Sequence, residues 1–135
     1  METHTLHVRT GVTFRCVDLT PDIQSWLDGR GDGLCTVFVP HATAGVALFE
    51  LGAGTEDDVE RALAELLPRE ESRWRHHHGS PGHGRDHVLP ALIAPSVTIP
   101  VVGGRMTLGT WQSVVLVDPN LDNPERTVRV AFLSG

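Results

Sequence analysis

Five of the chain's eight histidines fall between Trp74 and His87, in the run WRHHHGSPGHGRDH. Imidazole does two kinds of chemistry near neutral pH: it ligates metals through a neutral nitrogen, and it carries protons. Adjacent residues of an extended chain point to opposite sides, so His76, His77 and His78 do not all face one ion. Either His76 and His78 share a side, or one of the three turns inward. His83 and His87 stand four apart, the spacing of one helix face, but Gly82 and Gly84 argue against a helix there. No HExxH pair occurs, so the zincin pattern is absent. By spacing alone, a solvated loop is favoured over a metal site.

His41 follows the strand-ending Pro40 and precedes the small residues Ala42, Thr43, Ala44 and Gly45. With so little bulk around it the imidazole either faces a cavity or is satisfied by a backbone carbonyl. Glu50 closes the next apolar run, where it caps a turn or points into the same cavity. In GTWQ, at 109–112, a glycine inside an apolar strand suggests a bulge or the close approach of another group. Thr110 and Gln112 then share one face, and Trp111 takes the other. Asp118, Asn120, Asp122 and Asn123 make an oxygen-rich loop without the glycine an EF-hand turn needs, so they read as turn chemistry. Arg126 either grips an anion with its planar fork or forms a surface ion pair.

The absences narrow the chemistry further. All eleven basic residues are Arg, with no Lys and no Tyr, which excludes a Schiff-base or P-loop lysine. A formal charge of −6 with no basic run argues against nucleic acid as a partner. The opening METHTLHVRT carries no apolar signal segment, and no run is long enough to span a membrane. Cys16 and Cys35 are isolated, too few for a cysteine-only zinc site; two buried thiols in a cytoplasmic protein is the expected reading.

These groups must be held by a scaffold, and the chain reads as a single domain over 1–135. Short strands are expected within 4–17, with a turn at Thr10-Gly11. Thr20 as N-cap, Pro21 at the first helical position and Gly29 as the stop predict a short helix over 20–28. Strands follow at 33–40 and 44–50. Val59, Ala62, Leu63, Leu66 and Leu67 form one apolar stripe, so 55–68 is the clearest helix, with Thr55 and Asp58 at capping-box spacing. The stretch 69–85 loses apolar periodicity, and a short helix is expected in 87–95. SVTIPVV, Gly103-Gly104 and RMTLGTWQSVVLVD predict a β-hairpin, and 126–134 a final strand. Hairpin-linked strands with two or three helices predict an α+β fold built on a largely antiparallel sheet or sandwich.

PHATAG at 40–45, Glu50, Asp58, WRH at 74–76, DH at 86–87, SVTIP at 96–100 and above all GRMTLGTWQ at 104–112 resemble the YjbQ family. The resemblance covers nearly the whole chain. It implies an α+β subunit, a homotrimer and a pocket lined by three histidines, carried by motif onto His41, His76 and His87 as candidate metal ligands. It also places Glu50, Asp58 and Arg126, with His41, among the catalytic positions, while Thr110 and Gln112 sit in the hallmark segment as cofactor-binding candidates. His77, His78 and His83 have no counterpart and are expected to be spectators. Phe49 and Leu51 flank the acid where the family has asparagines, so the polar rim differs.

The family is associated with a secondary thiamine-phosphate synthase activity, so a phosphorylated small molecule is the expected substrate and a divalent metal, zinc or magnesium, the possible cofactor. Three imidazoles suit zinc better than the magnesium that usually serves pyrophosphate departure, which favours metal-assisted hydrolysis or another transfer as the native reaction. The alternative is a non-catalytic trimer that binds a phosphorylated metabolite or a metal.

Overall fold

Residues 1–135 are described by a computed structural model. The strands are β1 (Glu2–Arg9), β2 (Arg15–Asp18), β3 (Gly33–Phe38), β4 (Gly45–Phe49), β5 (Ser96–Val102), β6 (Arg105–Met106), β7 (Ser113–Asp118) and β8 (Glu125–Ser134). The helices are α1 (Thr20–Leu27), α2 (Thr55–Leu66) and α3 (Leu89–Leu92), with single 3-10 turns at Glu71–Arg73 and Gly84–His87. All strand pairs are antiparallel, in a five-stranded sheet ordered β1-β8-β3-β5-β6 and a three-stranded sheet ordered β2-β7-β4. The α+β architecture is therefore the expected one.

Alternation explains how the two sheets meet. Cys35 and Val37 of β3, Ile99 and Val101 of β5, and Val128, Val130 and Phe132 of β8 all point inward. They pack on Val46 of β4 and on Val114 and Leu116 of β7, with Ile23 and Leu27 of α1 closing the same core. β7 has no polar face: Val114 through Asp118 are all buried. Its other side, Val115 and Val117, packs with Leu63 of α2, Leu67 and Leu89. A strand covered on both faces reads as a continuous apolar run, and VVLV at 114–117 is one. α2 buries a narrower stripe than its sequence suggests, because Ala62 and Leu66 face outward and Leu66 is 64% exposed.

Several local expectations are corrected. Thr20 does not cap α1; its backbone N–H donates to Asp18 Oδ1 at 2.9 Å, and its hydroxyl accepts from Val114 N–H at 2.8 Å. A buried strand amide outside the ladder needed that acceptor more than the helix did. The Thr55–Asp58 box is not formed either. Gly54 precedes α2 with φ of 86°, and the Glu56 carboxylate accepts from Gly52 N–H at 2.8 Å. The hairpin at Gly103-Gly104 joins β5 to β6, but β6 is only two residues long, and 107–112 then leaves the first sheet for the second. GTWQ is thus not an interrupted strand. It is the turn on which the chain changes sheets, closed by Gln112, whose N–H donates to the Gly109 carbonyl while its Oε1 accepts from Gly109 N–H at 2.9 Å. Trp111 is 73% exposed at its tip.

β4 begins tight against the segment that follows α3, where Val46 N–H donates to the Ala94 carbonyl at 2.9 Å. A methyl group on Gly45 would drive into the Ile93 carbonyl. The Gly45→Ala variant is expected to lose about 1–3 kcal/mol of stability from this overpacking. Urea denaturation checks it, and an unchanged midpoint would refute the contact.

Candidate functional site

The loop between α2 and α3 is organised from its buried charges outward. Asp86 is 3% exposed and is gripped by Arg69 Nη1 at 3.3 Å and by Arg85 Nε at 3.2 Å. Arg69 also donates to the carbonyls of Gly82 and Pro119, and Arg85 donates to that of Leu67 at 3.0 Å. Trp74 Nε1–H is satisfied by the Pro68 carbonyl at 2.8 Å. A buried carboxylate between two guanidiniums is stable only when such bonds complete it, and here they tie both ends of the histidine-rich run to the core.

Within that frame His76, His83 and His87 converge: one ring nitrogen from each lies within 4.8 Å of the other two. His76 Nε2 and His83 Nε2 are 3.0 Å apart, and the ring centroids of His76 and His87 are separated by 4.1 Å. His83 Nδ1 lies 3.1 Å from Asp122 Oδ2. The carboxylate accepts the Nδ1 proton, which leaves the His83 Nε2 lone pair facing the cluster. The same contact holds Asp122 below the usual carboxylate value. Burial first, then the neighbouring imidazoles, holds His76 and His87 below the usual histidine value. For these two rings the shift favours the neutral form, the one that ligates.

The glycines that argue against a helix are what permit this packing. A Cβ on Gly79 would strike the His83 ring, and one on Gly84 would strike the Trp74 Cβ and the His76 carbonyl. Gly84–His87 forms a 3-10 turn instead, which swings His87 back beside His83. His78 is exposed, with its ring 4.0 Å from that of His76, and His77 lies 3.6 Å from Glu71.

His41 is not a member of this group; His83 holds the third place expected for it. β3 ends at Phe38, paired with Arg129, so the backbone N–H of Thr127 lies beyond the reach of the ladder. His41 takes over there, its Nε2 accepting from Thr127 N–H at 2.9 Å. The ring is thus satisfied by an amide donor, not by a carbonyl. Burial, then the nearby Arg126 charge, lowers its pKa. Arg126 is itself buried, donating through Nε and Nη2 to both oxygens of Asp118 at 2.7 and 2.8 Å. It is a fork closed on an internal carboxylate, not a surface pair. Glu50 is exposed, as is Asp58, which pairs with Arg61 one turn along α2. Thr110 and Gln112 are exposed at the sheet-changing turn. None of these five residues is among the groups that converge with His76 and His87. Burial pushes the thiols of Cys16 and Cys35 up to about 11, and both are unpaired.

His83 was legible only in part. Its spacing from His87 is visible in the sequence, as is the density of glycine around it, but Asp122 lies thirty-nine positions away. Only the fold brings that carboxylate to the ring.

A profile described as UPF0047 protein YjbQ-like matches residues 4–135. UPF0047 protein Rv2556c of Mycobacterium tuberculosis is 57% identical over 135 residues, covering all of both chains. A UPF0047 protein of Methanothermobacter thermautotrophicus is 31% identical across 97% of this chain and 92% of its own. Among solved structures, hypothetical protein APE1520 from Aeropyrum pernix K1 superposes with a TM-score of 0.88 at 36% identity, covering 100% of both chains. A YbjQ-like protein of unknown function from Sulfolobus solfataricus P2 gives 0.91 at 26% identity, covering 99% of this chain and 97% of its own.

Proposed function

Since the chain belongs to the YjbQ-like UPF0047 family, whose relatives named above carry no stated activity, we propose a function from the site itself: a three-histidine metal centre serving hydrolysis or transfer on a phosphorylated small molecule. The observation that carries this reading is the convergence of His76, His83 and His87 with Asp122 behind His83. The donor set fits zinc. Tetrahedral zinc with imidazole bonds of about 2.0–2.1 Å separates two ligand nitrogens by about 3.3 Å, close to the 3.0 Å between His76 and His83. It does not fit magnesium, which wants several oxygens, because the carboxylate present is turned toward an imidazole.

Three protein ligands is the number found in catalytic zinc sites, whereas structural sites take four. The ion would supply Lewis-acid polarisation of a phosphoryl or carbonyl oxygen. The chain's own part is to fix the rings: Asp122 holds the His83 tautomer, and Asp86 with its two arginines holds the loop that carries all three. Thiamine-phosphate synthase-like transfer is kept as a secondary activity, since pyrophosphate departure is poorly served by imidazoles alone. A homotrimer in the cytoplasm is part of the same reading; the unpaired cysteines favour a reducing compartment. No helix is long and apolar enough to cross a membrane.

The test is elemental analysis with turnover. Purified protein should hold about one zinc per chain and hydrolyse a simple phosphate ester, with activity lost on chelation and restored by zinc. Metal-free protein with no zinc affinity would end the proposal. Asp122→Ala should weaken zinc binding by about 10–100-fold, the usual cost of removing a carboxylate behind a ligating histidine. Calorimetry measures this, with His77→Ala as the unaffected comparison. One observation favours the non-catalytic alternative: Glu50 and Asp58, the expected acid–base groups, stand exposed and do not join the cluster. Tight binding of metal and ester without product after long incubation would select it.

A further inference from the structure

Away from the histidine cluster, a polar cleft of about 580 Å³ opens where β1 and β8 meet the end of the loop 119–124. His7, Arg9, His41, Asn123, Glu125 and Thr127 line it, and none of the three converging histidines does. Its polar groups can be sorted by what each has left to offer. His41 Nε2 already accepts the Thr127 N–H, so the neutral ring carries its proton on Nδ1 and offers a donor. Asn123 Oδ1 accepts from Glu125 N–H at 3.4 Å, which leaves the amide NH₂ as donor. Arg9 makes one exposed contact, with Glu125 at 3.3 Å, and a guanidinium has five N–H groups. His7 is exposed on β1, on the same side of that strand as Arg9. The set is rich in donors and holds a single acidic side chain, Glu125, whose carboxylate is drawn to Arg9 at the solvent-facing rim.

We infer that this cleft binds the phosphate group of a small phosphate ester, gripped by His41, Asn123 and Arg9. A tetrahedral oxyanion accepts from several directions at once, which is what three donors on separate strands and loops supply. The inference deepens the reading of a phosphorylated substrate and rests on it. It assigns a non-reacting phosphate handle to a place other than the metal and leaves the bond that is broken to the histidine cluster: Asp122 supports His83, and the next residue, Asn123, faces the cleft. One short loop thereby serves both sites. Glu125 opposes the anion, so its charge sets an upper limit on affinity that a neutral replacement lifts.

The test uses metal-free full-length protein, with inorganic phosphate and glycerol 3-phosphate as probes followed by calorimetry. Both probes should compete for one saturable site per chain, the ester binding more tightly. Asn123→Ala and His41→Gln should each weaken binding at least about 5-fold, while Glu125→Gln should strengthen it about 2- to 5-fold. His77→Ala, which lies in neither site, should leave phosphate affinity unchanged. Absence of saturable binding overturns the inference. So does a loss confined to His83→Ala, which would put the anion on the imidazole cluster, or an ester that fails to displace inorganic phosphate. Zinc uptake measured on the same protein reports separately on the metal reading, so one can fail while the other stands.

Discussion

Replacing His83 with alanine is expected to reduce zinc affinity by about 100-fold or more, whereas His41→Ala keeps full metal content. The first figure follows from removing one of three ligands and stranding Asp122, whose loss alone costs about 10–100-fold in comparable sites. The second follows from geometry: His41 Nε2 is committed to Thr127 N–H in the five-stranded sheet and does not join the converging nitrogens. The two variants therefore separate the histidine set implied by family resemblance from the set that this fold brings together. Calorimetric titration with zinc, after chelation and dialysis, measures both, and circular dichroism confirms that each variant is folded. Full zinc affinity in His83→Ala, or its loss in His41→Ala, would remove the case for the cluster described here.

The largest stability effect is expected at Asp118 and Arg126. Their side chains are 0% and 2% exposed and share two hydrogen bonds, so removing either strands a charge in the interior. Arg126→Ala should cost about 3–5 kcal/mol. For a chain of this size that corresponds to a fall in Tm of roughly 10–20 °C. Asp118 also accepts the Asn120 N–H at 2.9 Å, so Asp118→Ala loosens the following loop as well. The double replacement Asp118→Leu with Arg126→Met should recover much of the loss, because an apolar pair of similar size avoids the desolvation that both charges suffer. Thermal unfolding of the three variants decides it. If Arg126→Ala left Tm unchanged, the residue would be free for an external anion instead of serving as an internal brace.

What could be read in advance divides along physical lines. Strands and helices were legible because burial on one face imposes a period, as in Val128, Val130 and Phe132 of β8 or Leu63 of α2 and Leu67 just past its end. Strand partners were not, because alternation marks an inner face without saying which strand lies beside it. β6 and β7 look like one strand in sequence and belong to different sheets. Capping was overestimated for a related reason. Thr20 and Thr55 carry the right side chains, but Asp18 and Glu56 lay nearer to the unpaired amides that needed an acceptor. At the site, the density of histidine was visible and its selection was not. Choosing His83 over His41 depended on Gly79 and Gly84 admitting close approach, and on a carboxylate arriving from a distant loop.

The Asp118–Arg126 brace has a consequence for how the site meets its ligand. It closes the base of the loop 119–124, and Asn120 fastens the same loop to Thr10 at 2.9 Å. A short loop secured at its base and again near its start has little conformational freedom left to surrender. Asp122 and Asn123 therefore wait in place before anything binds.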